Sequence, residues 1–300
     1  MVGVCIKYYH ENYGGVVQCF AFTEFLKNNG VEFQLIKYNK KNGLKGIIKN
    51  LPRIFNKVLL KDKYEQFKKI IGLKKNKDFK ANYLIRMNTI HNFQKHYFTN
   101  ILEVNSYKEL SKIAVKFDCF ISGSDQLWSP AGLPTNFFNL MFVPDQIKKV
   151  SYASSFGVSN IPWYQKTRTK KFLLRFDNIS VREEQGAKII NELIHKKVDI
   201  VVDPVFLLTK NEWELILGDK LIMSDSYIFA YFLGDNEIHR REVIDFAKRK
   251  KIKIVTMPHL DQYIKKDEHF GDVQLYDVDP FDFLRLIRNA NYICTDSFHG

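Results

Sequence analysis

The chain has 300 residues, more than a single hydrophobic core usually serves, so we expect two domains of roughly 150 residues each. Its 45% hydrophobic and 26% charged residues are typical of a globular protein. No run approaches the roughly 18 uncharged apolar residues of a membrane-spanning helix, and the N-terminus is charged too early for a signal peptide, which predicts a cytoplasmic protein. The 4 cysteines form no CxxC pair, so neither a zinc site nor a disulfide framework is expected.

The net charge of +13 arises almost entirely from a lysine-rich stretch between residues 37 and 80. Apolar residues recur in it at steps of three and four, which predicts an amphipathic helical insertion at about 42–80, broken near Pro52. Two interpretations remain open. Either the helix lies on an anionic surface at the inner face of the membrane, or it packs its apolar stripe on the body of the protein. No nucleic-acid-binding motif or stacking aromatics accompany the lysines, so nucleic acid is not an expected partner.

Short apolar runs alternate with helical patterns along the chain. In chain order, the predicted strands are Val4–Tyr8, Glu32–Tyr38, Cys119–Ser122, Lys149–Ala153, Ile179–Val181, Ile200–Val202, Tyr227–Phe232, Lys253–Met257 and Tyr292–Cys294. The predicted helices are Val16–Asn29, Tyr107–Lys116, Trp163–Arg175, Glu183–Ile194, Asn236–Lys250 and Asp279–Asn289. This alternation is typical of parallel sheets covered on both faces. The sequence therefore predicts an α/β fold of two doubly wound, Rossmann-like domains facing a cleft.

A domain boundary is expected shortly after Asp203-Pro204, because a new helix start follows and the strand-helix alternation then begins again. The predicted domains are 1–205, which carries the basic insertion, and 206–300. A Rossmann-type domain needs more elements than the second range supplies, so we expect that domain to continue beyond Gly300. In such sheets ligands bind at the carboxyl ends of the strands, which makes each strand end a candidate site.

The first strand is followed by Asn12, Tyr13 and the pair Gly14-Gly15, before a helix predicted to begin at Val16. Paired glycines before a helix let the backbone approach an anionic ligand. A plain tight turn explains them equally well. Asn12, Gly14 and Gly15 are candidate substrate-binding residues on the first interpretation.

Two further strand ends are rich in small and polar residues. The strand at 119–122 is followed by Gly123, Ser124, Asp125 and Gln126, and then by a tryptophan. The strand at 149–153 is followed by Ser154 and Ser155, close to Gly157. Serines in turns often satisfy their own backbone, but so many polar groups at adjacent strand ends predict a substrate-binding site.

Arg182 stands at the end of the strand predicted at 179–181. Its guanidinium can pair with Glu183 or Glu184, or it can present a fork to a phosphate or carboxylate of a ligand. The spacing leaves both possibilities open.

The chain's last residues, ICTDSFHG, place His299 directly before a glycine at another strand end. Histidine is the side chain best suited to give and take protons near neutral pH. Asp296 can orient the imidazole or cap a following helix. Asp296 and Ser297 are further candidates for substrate binding. No metal-ligand spacing is present in these residues, so no metal site is expected.

Taken together, these strand ends resemble the polysaccharide pyruvyl transferase family. The matching stretches, in the family's order, are NYGGVVQCFAF at 12–22, FDCFISGSDQLWSP at 117–130, KKVSYASSFGVS at 148–159, ISVREEQGAKII at 179–190, VVDPVFLLTKNEW at 201–213 and NANYICTDSFHG at 289–300. They span nearly the whole chain apart from the lysine-rich insertion.

The resemblance implies a glycosyltransferase-like pair of Rossmann-type domains. It also implies transfer of the enolpyruvyl unit of phosphoenolpyruvate to a sugar as a pyruvate ketal, on a polysaccharide of the capsule or exopolysaccharide kind or on its lipid-linked or nucleotide-linked precursor. By the resemblance, His299 and Arg182 are active-site residues. Phosphoenolpyruvate is then a substrate, and no metal or organic cofactor is required.

One position departs from the family's pattern. Better-known members carry arginine and leucine between the aspartate and the histidine of the last loop, where this chain has Ser297 and Phe298. Either Arg182 with Arg285 or Arg288 supplies the charge that holds the donor's phosphate, or the donor is another molecule. The alternatives are a nucleotide-sugar-dependent glycosyltransferase on the same scaffold and a non-catalytic carbohydrate-binding or assembly protein.

Overall fold

The computed structural model describes residues 1–9, 12–39, 57–132 and 135–300, with the backbone alone for 57–63 and 65. The chain divides into two compact units. The first comprises Met1–His10, Gly15–Asn56 and Tyr97–Thr209, and the second comprises Glu11–Gly14, Lys57–His96 and Lys210–Gly300. The part of the predicted insertion at 42–56 lies outside the described residues, and the part from Lys57 onward is helical and counts with the second unit. The division predicted after residue 205 stays a prediction.

Both units are built on parallel sheets. The strands are β1 Val2–Cys5, β2 Phe33–Tyr38, β3 Ile101–Val104, β4 Cys119–Ser122, β5 Lys148–Ser154, β6 Asn178–Val181, β7 Asp199–Ile200, β8 Tyr227–Tyr231, β9 Lys253–Thr256, β10 Val273–Gln274 and β11 Tyr292–Thr295. The first unit contains a sheet in the order β3-β2-β1-β4-β5-β6-β7, and the second a sheet in the order β10-β9-β8-β11. Each begins with the 3-2-1-4 arrangement of a doubly wound sheet, which confirms the predicted α/β class.

Helices connect these strands. They are α1 Tyr13–Asn28, α2 Lys57–Lys75, α3 Lys77–Tyr97, α4 Tyr107–Ile113, α5 Trp163–Leu173, α6 Glu184–Ile194, α7 Lys210–Leu217, α8 Glu237–Lys250 and α9 Pro280–Asn289. Short 3-10 turns cover Ala114–Lys116, Pro204–Leu207 and Lys265–His269. None of the helices in the described part of the chain has the length and hydropathy that a bilayer crossing requires.

Side-chain caps fix two of the helix starts that the sequence predicts. The Asn236 side chain accepts a hydrogen bond from the Ile238 amide at 3.0 Å, so α8 begins just after it. The Asp279 carboxylate accepts from the amides of Phe281 and Asp282 at 2.8 and 2.7 Å, so α9 begins just after it. Both boundaries follow from short polar side chains that satisfy the first free amides of a helix.

Other predicted boundaries are wrong. Helix α1 begins at Tyr13 rather than at Val16, so the paired glycines lie in its first turn and not in a loop before it. The first strand covers Val2–Cys5 rather than Val4–Tyr8. Strands β3 and β10 and helix α3 were not predicted.

The core of the first unit explains the tryptophan that follows the polar run after β4. Trp128 is fully buried, with its ring 5.4 Å from those of Phe156, Phe172 and Phe176. Its indole N–H donates to the Phe138 carbonyl at 3.3 Å. Trp128 therefore packs the core, and its burial fixes the position of the polar residues that precede it.

Candidate functional site

In the first unit, the ends of β4, β5 and β6 lie side by side, as the sequence predicts. These strands are neighbours in a parallel sheet, so their carboxyl ends share one edge. Asp125 forms an isolated parallel bridge with Ser154, and the Ser155 amide donates to the Asp125 carbonyl at 3.0 Å. The loop after β4 and the serines after β5 are thus one hydrogen-bonded structure.

Most of the predicted binding residues at these strand ends are buried or hydrogen-bonded within the protein. The Ser154 hydroxyl donates to the Gly123 carbonyl at 2.9 Å, and the Ser155 hydroxyl accepts from the Gly157 amide at 3.0 Å. Ser124 and Ser154 are fully buried. A Cβ on Gly123 would lie 2.8 Å from the Ile6 side chain, so close packing requires glycine there. These residues shape the loop rather than face solvent.

Asp125 and Gln126 are the exceptions, since Asp125 is partly exposed and Gln126 is exposed. The Gln126 side chain lies over Gly157, whose φ is +63°, and a Cβ at Gly157 would approach it to 2.6 Å. Both the left-handed backbone and the lack of space require glycine at this position. A carboxylate and an amide are therefore presented together at the strand ends.

Arg182 lies at the centre of this site, with its side chain only 8% exposed. Its Nη1 is 2.9 Å from an Asp203 carboxylate oxygen, Nη2 is 3.9 Å from Asp125, and Nε is 3.9 Å from Glu183. The sequence left open a pairing of Arg182 with Glu183, and the structure shows that pair at 3.9 Å. The closest partner is Asp203.

Asp203 was not among the predicted site residues. Its side chain is 3% exposed and accepts from the Ser124 hydroxyl at 3.3 Å and from the Val205 amide at 3.2 Å, as well as pairing with Arg182. An aspartate directly before proline and after a short strand is the sequence signal that could have found it. Three carboxylates around one guanidinium make this site suited to hydroxyl groups rather than to an anion.

In the second unit, His299 and Gly14 lie against each other. A Cβ built on Gly14 would overlap the His299 ring and would lie 2.6 Å from the His299 Cβ. Glycine inside a helix is ordinarily unfavourable, so the histidine gives a physical reason for Gly14 in the first turn of α1. The structure thus brings together two residues that the sequence singled out separately. Gly15 is the next residue of α1 and counts with the first unit, and Asn12 is exposed before the helix.

The loop that carries His299 is closed by its own hydrogen bonds. The Thr295 hydroxyl donates to the Tyr231 carbonyl at 2.7 Å and accepts from the Ser297 amide at 2.9 Å. The Gly300 amide donates to the Ser297 carbonyl at 3.3 Å. Phe298 is 68% exposed and packs edge-on against the His299 ring.

Asp296 has a different set of partners from those predicted. Its carboxylate accepts from the amides of Leu233 at 2.7 Å and Gly234 at 3.2 Å, and lies 3.9 Å from His239 Nδ1. Asp296 therefore ties the His299 loop to the segment after β8.

Two buried residues near this loop were missed by the sequence analysis. Tyr13 stacks on Phe283 with ring centroids 5.1 Å apart, and its hydroxyl donates to the Val278 carbonyl at 2.6 Å. The guanidinium of Arg86, on α3, lies 5.7 Å from the centroid of the Tyr13 ring. No local signal marks Arg86, because its hydrogen-bond partners are all distant in the sequence.

The arginines that the sequence analysis offered as phosphate ligands differ in their surroundings. Arg285 donates twice to the Leu217 carbonyl, at 2.8 and 2.6 Å, and once to Asp282 at 2.6 Å, so it holds the end of α7. Arg288 is exposed. Among the residues that the structure describes, no group of three or more His, Cys, Asp or Glu side chains could hold a metal ion.

Comparison with solved structures shows what this fold is similar to. UDP-GlcNAc 2-epimerase from Methanocaldococcus jannaschii superposes with a TM-score of 0.51 at 13% identity, over 99% of this chain and 79% of that one. A second UDP-N-acetylglucosamine 2-epimerase gives a TM-score of 0.52 at 10% identity, over 99% of this chain and 73% of that one. At such low identity the likeness concerns the fold alone. No curated protein matches the chain.

The family comparison is more specific. The model of the family described as polysaccharide pyruvyl transferase matches residues 12–300. That span includes both sites described above, the strand ends around Arg182 and the loop with His299. The chain therefore belongs to the polysaccharide pyruvyl transferase family.

Proposed function

We propose that the protein transfers the pyruvyl group of phosphoenolpyruvate to two hydroxyls of a sugar, on a polysaccharide or its lipid-linked precursor, and forms a pyruvate ketal. The main support for this proposal is that His299, in the last loop, packs against Gly14 of α1 in a chain of this family. Histidine is the side chain best suited to give and take protons near neutral pH.

The reaction has two additions to the same carbon. A proton adds to the methylene carbon of the donor, and a sugar hydroxyl bonds to the adjacent carbon and loses its proton. Phosphate then leaves with its bridging oxygen, and the second hydroxyl bonds to that carbon and loses its proton. In this proposal His299 delivers and accepts protons during these steps.

The first unit has the chemistry of an acceptor site. Asp125 and Gln126 offer acceptor and donor groups at the strand ends, and Arg182 with Asp203 holds the loop that carries them. A carboxylate and an amide match the hydrogen-bonding needs of sugar hydroxyls. The excess of negative charge there disfavours the phosphate and carboxylate of the donor.

A peripheral contact with an anionic membrane surface would place the protein beside a lipid-linked acceptor at the cytoplasmic face. The support comes from α2, where Tyr64, Phe67 and Ile70 recur at every third position and are more than half exposed, at 58%, 59% and 52%. The same helix ends in Lys74 and Lys75. Exposed apolar side chains beside lysines favour the interface of an anionic bilayer.

The test is product release by the purified protein with candidate sugar acceptors. Release of inorganic phosphate from phosphoenolpyruvate, dependent on the acceptor and lost in His299→Ala, is the expected result. Release of nucleotide from a nucleotide sugar would replace the proposal by the glycosyltransferase alternative. Binding of the acceptor without release of either product would indicate a carbohydrate-binding or assembly protein.

A further inference from the structure

Arg86 is a buried cation in the second unit whose described partners are all neutral. The residue is 4% exposed. Its guanidinium donates to the carbonyls of Pro258 at 2.6 Å, Leu275 at 2.7 Å and Tyr276 at 3.4 Å. A guanidinium carries five N–H donors, so these bonds leave donor capacity on both terminal nitrogens. Among the described side chains, no carboxylate forms an ion pair with it.

Arg240 in the same unit shows the usual arrangement. It is equally buried, at 4%, and its guanidinium pairs with the Asp267 carboxylate at 2.6 Å. It also donates to the carbonyls of Gly234 and Asn236 at 3.0 Å. Burying a charge without a counter-ion is unfavourable, so the contrast indicates that Arg86 is placed to receive an anion.

A small cavity opens beside Arg86. Its lining also includes Asn12, Tyr13, Tyr231 and His259, and its volume is about 40 Å³. Since roughly 10–15 Å³ holds one water, the cavity accommodates about three or four water-sized groups, comparable with the three heavy atoms of a carboxylate or the four oxygens of a phosphate. Tyr231 ends β8, so the cavity lies at the carboxyl end of the sheet, where open α/β folds bind ligands.

The other titratable groups at the cavity leave Arg86's charge uncompensated. Asp261 lines the cavity but lies 3.7 Å from the Lys69 ammonium, which offsets it. Burial lowers the pKa of His259 to about 4, so its imidazole is neutral at neutral pH. Burial raises the pKa of Tyr13 to about 12, so its phenol is protonated.

We infer that the cavity bounded by Arg86, Asn12 and Tyr231 binds the carboxylate or phosphate of a small anionic substrate. The inference deepens the proposed function and rests on it, since phosphoenolpyruvate carries both groups. Arg86 then supplies the fixed charge that Ser297 cannot. Arg182 is surrounded by carboxylates and Arg285 is engaged with Leu217 and Asp282, so neither offers comparable donors.

The experiment compares ligand affinity by calorimetry in the full chain and in Arg86→Gln. Inorganic phosphate, phosphoenolpyruvate and UDP-GlcNAc are the three probes. Loss of a charge-assisted hydrogen-bonding group is expected to weaken binding of the bound probe on the order of tenfold to a hundredfold. Arg241→Gln, which makes the same change of charge at an exposed position of α8, is expected to bind as the unmodified chain does.

The inference is overturned if folded Arg86→Gln and the unmodified chain bind the probes with equal affinity. It is also overturned if both arginine variants lose affinity equally, or if no probe binds. If Arg86→Gln does not fold, Asn12→Asp serves instead, because Asn12 is exposed and the substitution keeps the size of the side chain. A carboxylate at the cavity is expected to weaken anion binding about tenfold, and unchanged binding overturns the inference. Binding of UDP-GlcNAc but not phosphoenolpyruvate, with dependence on Arg86, would defeat the proposed function while supporting the anion site.

Discussion

Arg182 and Arg86 are both buried arginines at the carboxyl end of a parallel sheet, one in each unit, and their surroundings differ. Arg182 has Asp203, Asp125 and Glu183 within 4.0 Å, whereas Arg86 donates to backbone carbonyls. The difference teaches that residue type and strand-end position do not determine an arginine's role. An arginine neutralised by carboxylates organises a loop, and one bound to neutral groups keeps its charge available to a ligand.

The proposed function gives proton transfer to His299, in the second unit, so the largest expected effect is there. Gly14→Ala places a methyl group where the His299 ring lies, and the displaced imidazole is expected to lower the rate of phosphate release about 10²-fold to 10⁴-fold. His299→Ala should have a similar effect, and the double variant should be little worse than either single one, because both changes remove the same group.

Gly132→Ala is the matched control for this prediction. A Cβ there has the Ser129 carbonyl oxygen at 3.6 Å as its nearest neighbour, an ordinary contact. Its rate should equal that of the unmodified chain. A folded Gly14→Ala protein with full activity would show that His299 does not act where the structure places it.

The second prediction concerns stability in the first unit. Arg182→Met leaves the Asp203 charge buried without its partner, and is expected to lower the free energy of unfolding by about 3 kcal/mol. Arg182→Met with Asp203→Asn should be less destabilising than the sum of the two single changes. Urea unfolding followed by tryptophan fluorescence, to which buried Trp128 contributes, measures this. Additive effects would show that the pair is not a unit.

Arg86→Met tests the same comparison of the two buried arginines. It leaves three neutral carbonyls rather than a carboxylate, so it is expected to destabilise the protein less than Arg182→Met does. A larger loss in Arg86→Met would contradict the contrast drawn between the two arginines.

The two arginines also show how far the sequence alone leads. Arg182 directly follows a short apolar strand, so the sheet's geometry predicts its position at a strand end. Arg86 follows no strand, and its three partners are carbonyls from residues 258, 275 and 276. Backbone carbonyls carry no sequence signal, so only the folded chain shows what this arginine contacts.

Helix α3 was missed for a related reason. Its buried positions are Phe79, Arg86, Ile90 and Phe93, and the arginine interrupts an otherwise apolar stripe. The periodicity that predicts helices depends on apolar residues, so a buried charge hides it. The α/β class was predictable, since long runs of alternating strands and helices are insensitive to single exceptions.

The third prediction is a pH effect in the second unit. Burial depresses the pKa of His259 from 6.5 to about 4, so between these values the unfolded chain binds the proton in preference to the folded one. Stability from this group is present above about pH 6.5 and is lost as the pH falls toward 4. From pH 7 to pH 5 the loss is about 2 kcal/mol.

His259→Gln should remove this part of the acid sensitivity. Free energies of unfolding from urea titrations at the two pH values measure it, and the comparison with the unmodified chain cancels the contribution of the carboxyl groups. His195→Asn, at the exposed left-handed end of α6, controls for the loss of a histidine elsewhere. If His259→Gln loses as much stability as the unmodified chain, the imidazole is not the group responsible.

The smallest expected effect concerns α2, whose two ends differ. Near its C-terminus the helix packs on the second unit, since a Cβ on Gly72 would lie 2.7 Å from the Tyr263 side chain. Phe67 and Ile70, farther toward its start, are exposed. Packing on the body therefore describes the end of the helix, and the proposed membrane contact concerns its exposed start. Phe67→Ser is expected to reduce partitioning onto vesicles with anionic lipid by about 1 kcal/mol, or roughly fivefold.

Co-sedimentation with vesicles of phosphatidylcholine containing phosphatidylserine measures this, and vesicles of phosphatidylcholine alone should bind less because the lysines then have no anionic partner. Leu215→Ser is the control, since Leu215 is 85% exposed and belongs to a different helix, α7. Raising the salt concentration should weaken binding of the unmodified chain, because exposed charges are screened. An equal loss in Leu215→Ser would mean that any exposed apolar side chain suffices. The surface of α2 would then have no particular role, and its exposed stripe would need another explanation.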